Sequence, residues 1–294
     1  MKKSADHFHR IGLVGNAEKA ACAASVRAAA QLIQRSGRQV ICEEITGGLA
    51  KLKCETMPHM ATLARAVDLL VVFGGDGTML HTARQIAGSR TPVLGVNIGG
   101  LGFLTAVPSD QLAEALKLIW RGEYRFESRT LIEASGVGRG NKIHTTALND
   151  IVVSRGAVSR LIALDVSVNG EPITRYRCDG LIVSSPTGST AYSLAAGGAI
   201  VLPTAEVFAL TPICPHALSN RSIILPLSAT IRIKAIHTVT TAYLNADGQI
   251  AGELDDGDEI TIRRSRSAVR LVHLKDSSFW EALRRKLHWR GTYL

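Results

Sequence analysis

The segment Ala66-Val-Asp-Leu-Leu-Val-Val-Phe73, followed at once by Gly74-Gly-Asp-Gly-Thr78, decides how the first part of the chain is read. A nearly unbroken apolar run suits a strand buried on both faces, as strands inside a parallel sheet are. The glycines then stop the strand, and residues 78–86 read as a helix. The same alternation extends outward. Upstream, residues 10–14 and 39–44 read as strands around an Ala-rich helix over 17–35 that ends at Gly37. Downstream, residues 92–97 read as a strand and 109–121 as a helix with Ser109 at its N-cap. Strands alternating with helices predict an α/β domain on a parallel sheet, spanning residues 1–123.

The pattern changes near residue 124. Leu164, Val166 and Val168 alternate with Asp165, Ser167 and Asn169, and Asn169-Gly170 is a strong hairpin signal. Ile231, Ile233 and Ala235 alternate with Arg232 and Lys234, and Ile260 and Ile262 do the same after the Asp256-Gly257 turn. Such strands have one wet face, so residues 124–274 are expected to form a mostly antiparallel all-β domain. Helical spacing returns with Trp280, Leu283 and Leu287. A lone helix after a β domain needs a surface, so residues 275–294 are expected to rejoin the first domain.

A chain of 294 residues with 46% hydrophobic and 20% charged residues can build sizeable cores, which excludes disorder as its main state. Lys and Arg number 34 against 25 Asp and Glu, so the net charge of +9 favours an anionic partner. Aromatic residues are only 5%, which argues against a protein that stacks successive bases. Cys22, Cys42, Cys54, Cys178 and Cys214 are odd in number and lack C-x-x-C spacing, so they read as reduced thiols. No apolar run approaches the ~18 residues of a membrane span, and Ile11 to Val14 is too short for a signal-peptide core. These features predict a soluble, cytoplasmic protein without a membrane or nucleic-acid partner.

Glycines at 74, 75 and 77 let the chain turn sharply and let phosphate approach main-chain N–H groups at a helix start. Asp76 is the odd element. A carboxylate beside phosphates repels them unless it binds a metal ion or takes a proton from a nucleophile; as a helix N-cap it needs neither. A second glycine cluster, Asn97-Ile-Gly-Gly-Leu-Gly-Phe-Leu104, leaves the next strand at the same sheet edge, where α/β ligands bind. The stretch Asp179-Gly-Leu-Ile-Val-Ser-Ser-Pro-Thr-Gly-Ser-Thr-Ala-Tyr-Ser193 is dense in hydroxyls and turn formers. Asn149-Asp150 offers groups for ribose hydroxyls. The acidic run from Glu253 to Glu259 lacks calcium-loop spacing and reads as a solvated turn. His7 and His9 read as a frayed end, Gly136-Val-Gly-Arg-Gly140 as a loop, and Arg263, Arg264, Arg266 and Arg270 as a basic strand edge. Walker A, kinase H-R-D and D-F-G, H-E-x-x-H and G-x-S-x-G motifs are all missing.

Taken together and in order, GGDGT (74–78), NIGGLGFL (97–104), ALNDIVVSRG (147–156), DGLIVSSPTGSTAYSLAAGG (179–198) and PICPHALSNRSIILP (212–226) resemble the NAD kinase family. Asn245-Ala-Asp-Gly-Gln249 and the tail from Phe279 to Trp289 extend the resemblance. GGDG alone is weak, because lipid kinases and phosphofructokinases carry similar segments; joined to PTGSTAYS it is specific. The resemblance implies an α/β domain plus a β-sandwich-like domain, and transfer of a phosphoryl group from ATP to the adenosine ribose 2′-hydroxyl of NAD. It implies Asp76 as proton acceptor, and Gly74, Gly75, Gly77 and Thr78 as the phosphate-side loop. Asn149 and Asp150 match an Asn-acid pair at the adenosine part. His81, Arg160, Arg177, Asp179, Thr187, Thr190, Ala191, Tyr192, Ser193 and Gln249 fall on substrate-binding positions. Many relatives have Asn-Glu where this chain has Asn149-Asp150, a carboxylate one methylene shorter. Also implied are a divalent ion, Mg²⁺, accompanying ATP with no assigned protein ligands, and a homo-oligomer, dimer or tetramer; polyphosphate as donor stays open. A lipid kinase, a dinucleotide sensor and a nucleic-acid binder are the competing readings. The Asn149-Asp150 and PTGSTAYS segments weigh against the first, and the intact Asp76 loop against the second. For the third, no helix-turn-helix or RNA-binding signature is present.

Overall fold

The computed structural model describes residues 8–100, 102–156, 161–217, 219–236 and 241–289. The chain divides into two compact units, Met1–Ser128 with Val269–Leu294, and Arg129–Ala268.

The first unit is an α/β layer structure. Five parallel strands lie in the order Glu55–Met57, Gln39–Glu43, Arg10–Gly15, Leu69–Gly74, Val93–Asn97. The strand expected from Ala66 begins only at Leu69, because Ala66 ends the helix Met60–Ala66; Leu69–Gly74 is buried at every residue, as an apolar run predicts. Chain order along this sheet reverses between Arg10–Gly15 and Leu69–Gly74. From the first strand the chain proceeds to Gln39–Glu43 on one side, and from the other to Val93–Asn97 on the opposite side. Their carboxyl ends therefore diverge and leave a crevice, the place where open α/β sheets take ligands. The C-terminal helix Phe279–Lys286 belongs to this unit, with Leu283 buried at 1% exposure.

Several local readings need correction. The helix expected from Thr78 starts at Asp76, with Gly75 at the N-cap. Ser109 is not the cap of the helix Leu112–Trp120; it opens a 3₁₀ turn, Ser109–Gln111, that precedes it. Helices Glu44–Ala50 and Met60–Ala66 and the strand Glu55–Met57 escaped the pattern, because Gly47-Gly48 lowers local helix propensity and the three pieces are short. His7 lies outside the described residues; the backbone N–H of His9 is held by Asp68 Oδ2 at 2.8 Å and is not frayed.

The second unit is a sandwich of antiparallel sheets. One holds Ile223–Pro226, Val207–Ile213, Gly180–Ser184, Asp150–Arg155, Ala242–Ala246 and Gln249–Leu254 in that order. The other runs through Glu171–Cys178, Ile162–Val168, Ile231–Ile236 and the first part of Glu259–Leu274. Inward residues of both, such as Val153, Leu181, Phe208 and Leu244 from one and Leu164, Val166, Ile233 and Ile260 from the other, share one core. Asn169 and Gly170 have φ of 53° and 88°, the left-handed pair that a two-residue hairpin requires. The segment 136–140 is not a loop: Gly136 and Gly138 lie within the strand Tyr124–Gly138, which turns back through Arg139-Gly140. The acidic run is likewise ordered. Asp258 Oδ2 accepts the N–H groups of Arg139 and Asp255, both at 2.8 Å, and the Arg139 guanidinium pairs with Glu253 and Asp255.

Candidate active site

In the first unit the candidate site is built on the crevice edge. The Asp76 carboxylate does not cap its own helix. It turns to the second glycine cluster, where Oδ2 accepts the Phe103 N–H and Oδ1 the Leu104 N–H, each at 2.9 Å. Gly102 is the residue that makes this possible, since a Cβ there would stand 2.1 Å from Asp76 Oδ1. The carboxylate remains 29% exposed, and Lys286 Nζ lies 3.8 Å from its Oδ2. Thr78 folds back over Gly74, and its hydroxyl accepts a hydrogen bond from Asn16 Nδ2 at 3.3 Å. His81 stands exposed one turn beyond Gly77 on the same helix.

Two residues here are absent from the sequence-based assignment. Asn16 and Lys19 follow the strand Arg10–Gly15 at the crevice. Lys19 Nζ donates to the Ile98 carbonyl at 2.8 Å and lies 3.8 and 3.7 Å from where side chains on Gly75 and Gly99 would begin. Its ammonium therefore sits against both glycine turns. A phosphate loop lacking a Gly-Lys motif needs its cation from another element, and that requirement was the available signal.

In the second unit Asp247 organises the Asn149-Asp150 turn. Its carboxylate accepts the N–H groups of Leu148, Asn149 and Asp150 at 3.0, 2.7 and 3.3 Å, from a turn where its own φ is 49°. Gln249 follows two residues later, exposed, at the start of the next strand. Asp150 is buried at 5% exposure. Burial first, and then the charge of Asp247, push its carboxyl up to about 7.

The Ser/Thr-rich stretch spends most of its hydroxyls on its own architecture. Ser185 Oγ donates to the Leu148 carbonyl and accepts the Gly188 N–H, while Ser193 and Thr211 share a hydrogen bond of 3.0 Å. Gly188 lies on Asn149, so close that a Cβ would be 2.2 Å from the Asn149 carbonyl oxygen. Thr187 is buried and accepts from Arg129 Nη1 at 3.4 Å, another residue that the motifs did not single out. Ser193 is fully buried, which leaves Thr190 and Ala191 partly exposed and Tyr192 47% exposed.

The structure thus brings Asn149, Asp150, Thr187 and the turn before Gln249 to one end of the sheet. It does not bring Arg177 and Asp179 there. Asp179 accepts from Arg155 Nε at 2.7 Å, at the far end of the strands in which Ser184 pairs with Asp150 and Gly180 with Ser154. The intervening length is roughly 15 Å at about 3.4 Å per residue. Arg160 lies outside the described residues.

Known proteins match this chain over most of its length. Residues 11–124 match the ATP-NAD kinase N-terminal domain, and residues 148–274 the ATP-NAD kinase C-terminal domain. The chain is 39% identical over 293 residues to the NAD kinase of Thiobacillus denitrificans, covering 96% of this chain and 97% of that protein. It is 43% identical over 244 residues to the NAD kinase of Geobacter metallireducens, covering 82% and 84%. Among solved structures, yeast NADH kinase complexed with NADH matches with a TM-score of 0.87 and 30% identity, over 98% of this chain and 90% of that one. An NAD kinase from Archaeoglobus fulgidus in complex with ATP matches with a TM-score of 0.75 and 26% identity, over 96% and 100%. Identity of this order, carried across nearly the full length of both domains, means that the chain belongs to the NAD kinase family.

Proposed function

We propose that this chain transfers the terminal phosphoryl group of ATP to the 2′-hydroxyl of the adenosine ribose of NAD, giving NADP. The observation that carries the reading is the Asp76 carboxylate, held by two backbone N–H groups inside a glycine turn at the sheet's switch point. Each oxygen of an ionised carboxylate has a second lone-pair site, so one N–H bond per oxygen leaves Asp76 able to orient a hydroxyl and take its proton. A sugar hydroxyl is a poor nucleophile without such a partner. Phosphoryl transfer asks little else beyond positioning and charge neutralisation.

The triphosphate is assigned to the turns around Gly74, Gly75, Gly77 and Thr78. The start of the ten-residue helix Asp76–Gln85 and the Lys19 ammonium favour negative charge there. Asp76 pairs with the reacting hydroxyl, and His81 belongs to the substrate side of the same helix. In the second unit Asn149 and Asp150 engage the adenosine part. A carboxyl raised to about 7 is partly protonated near neutral pH, and so can donate a hydrogen bond as well as accept one. Thr187, Thr190, Ala191, Tyr192, Ser193 and Gln249 line or support the same end. Arg177 and Asp179, with Arg160, serve the remainder of the dinucleotide.

Among the described residues no group of three or more His, Cys, Asp or Glu is placed to hold a metal ion. Mg²⁺ is assigned to the ATP complex, since this small ion is usually bound through substrate phosphates with few protein ligands. It would supply neutralisation of phosphate charge. We also assign the protein to the cytoplasm, in keeping with its unpaired cysteines and with the absence, among the described residues, of a helix able to cross a membrane. A homo-oligomer is proposed too, because among the described residues the strand Glu171–Cys178 ends its sheet, ladder-paired on one side only, and borders a groove of about 490 Å³ that includes Ile173, Arg175 and Arg232.

The test is one assay on purified protein with NAD, ATP and Mg²⁺, NADP being detected by an NADP-specific dehydrogenase. Native protein should form NADP. Asp76→Asn should lower turnover on the order of 10²–10⁴-fold, with no restoration by added Mg²⁺. No NADP, with diacylglycerol phosphorylated instead, would hand the protein to the lipid kinases. Near-normal turnover in the Asn variant would sink the role of Asp76.

A further inference from the structure

We infer that Lys286, carried on the C-terminal helix, is the positioning cation that lets the Asp76 carboxylate and a triphosphate share one turn. The inference rests on the kinase reading above and goes beyond it to a residue outside the glycine motifs.

Two negative groups at the same backbone turn repel each other, and two N–H bonds to Asp76 offset only part of that charge. The structure supplies a cation from the other end of the chain. Lys286 is the last residue of the helix Phe279–Lys286, and its Nζ lies 3.8 Å from Asp76 Oδ2. The same ammonium stands 5.1 Å from the centre of the Phe103 ring, whose residue also donates its N–H to that Oδ2. Lys286 therefore meets both the Oδ2 oxygen and the residue that donates to it.

Anchoring the helix does not require this contact. Leu283 is buried, and Phe279 packs on Phe103 with ring centres 6.3 Å apart. An ion pair whose side chains are 32% and 29% exposed adds little to stability by itself. The neighbouring Arg285 makes the ordinary surface contact, an i,i+4 pair with Glu281. Lys286 alone on this helix approaches a carboxylate from a different segment among the described ion pairs. At 3.8 Å the contact is an ion pair rather than a hydrogen bond, so Asp76 engages none of the three ammonium donors. The ammonium is 32% exposed, and an arriving phosphate oxygen can take its donors while its charge still compensates the carboxylate. No covalent bond is made or broken at Lys286 in this role.

The experiment is a double-mutant cycle read by calorimetric binding of AMP-PNP with Mg²⁺, a non-hydrolysable stand-in for ATP, to four full-length proteins: native, K286M, D76N and D76N/K286M. K286M should weaken binding about tenfold in the native background, and less than about threefold where D76N has removed the charge to be compensated. K286R should stay within about threefold of native, because it restores the charge. The melting temperature of K286M should match native, whereas L283A, which loosens the helix itself, should lower it. Equal weakening in both backgrounds, or none in either, overturns the inference. So does a K286M protein whose melting temperature falls as far as that of L283A. Failure of native protein to make NADP would instead sink the kinase reading, and native NADP formation with unchanged AMP-PNP affinity in K286M would sink only Lys286.

Discussion

At Asp150, burial and a carboxylate far along the chain, Asp247, set a carboxyl's charge state. The turn presents its N–H groups to Asp247, and Asp150, 5% exposed, is left facing that carboxylate's charge. Its carboxyl is raised to about 7, against an ordinary value near 4. Because the folded chain holds this proton more tightly than the unfolded one, the stability it lends is complete below about pH 4 and is lost as pH climbs to about 7. Native protein should therefore unfold at lower guanidinium concentration at pH 8 than at pH 5. Asp150→Asn should remove on the order of 2 kcal/mol of that difference. An Asn variant with the native pH slope would show that Asp150 ionises freely in the fold. Asp76 carries a different lesson. Its place in a glycine turn reads as chemistry or helix capping, and the structure gives a third task, closing the turn at Phe103 and Leu104. No spacing in the sequence announces bonds across 27 and 28 residues.

Among the elements, the turn from Asn97 to Leu104 is the one on which the candidate site depends. Asn97 Nδ2 holds the Gly100 carbonyl at 2.8 Å, and Gly102 makes room for the Asp76 carboxylate. Gly102→Ala would press Cβ against Asp76 Oδ1 at 2.1 Å and Thr105 Oγ1 at 2.6 Å, so loop or carboxylate must shift. Turnover should fall at least tenfold, since a 1 Å misplacement of a catalytic group can cost about 10²-fold, with a stability loss of about 1–3 kcal/mol. Gly48→Ala is the control: it sits in the helix Glu44–Ala50 with nothing within 4 Å of its added Cβ, and should leave activity alone. It should raise stability by roughly 0.5–1 kcal/mol. Equal activity in the two variants would mean that the turn tolerates displacement. The long buried strand and the Asn169-Gly170 hairpin were legible because one residue type or period dominates each. Helices Glu44–Ala50 and Met60–Ala66 were not, since tertiary packing of Thr46, Ala50, Leu63 and Ala64 decides them against weak local preference.

Over the whole molecule, the net charge of +9 is a property of steering as much as of any contact. If it draws anionic substrates to the crevice, kcat/KM for ATP should fall several-fold between roughly 20 and 500 mM salt, while kcat changes less. A salt-independent kcat/KM would assign the charge to solubility alone. Each unit has its own core, one gathered around Leu69, Val71 and Phe73, the other around Val153, Leu181 and Phe208. The sequence alone determined the succession of α/β and β architectures, because hydrophobic period is local and 46% apolar residues suffice to fill two cores. It also determined the family, because the motifs are contiguous. Only the tertiary structure decided which cations meet the carboxylate of Asp76 and the glycine turns, and which hydroxyls of the Ser/Thr-rich stretch stay available. Those outcomes depend on contacts between residues far apart in the chain, Lys19 with Ile98 and Lys286 with Asp76. Charge and hydrogen bonding act through space, and a linear pattern records only neighbours.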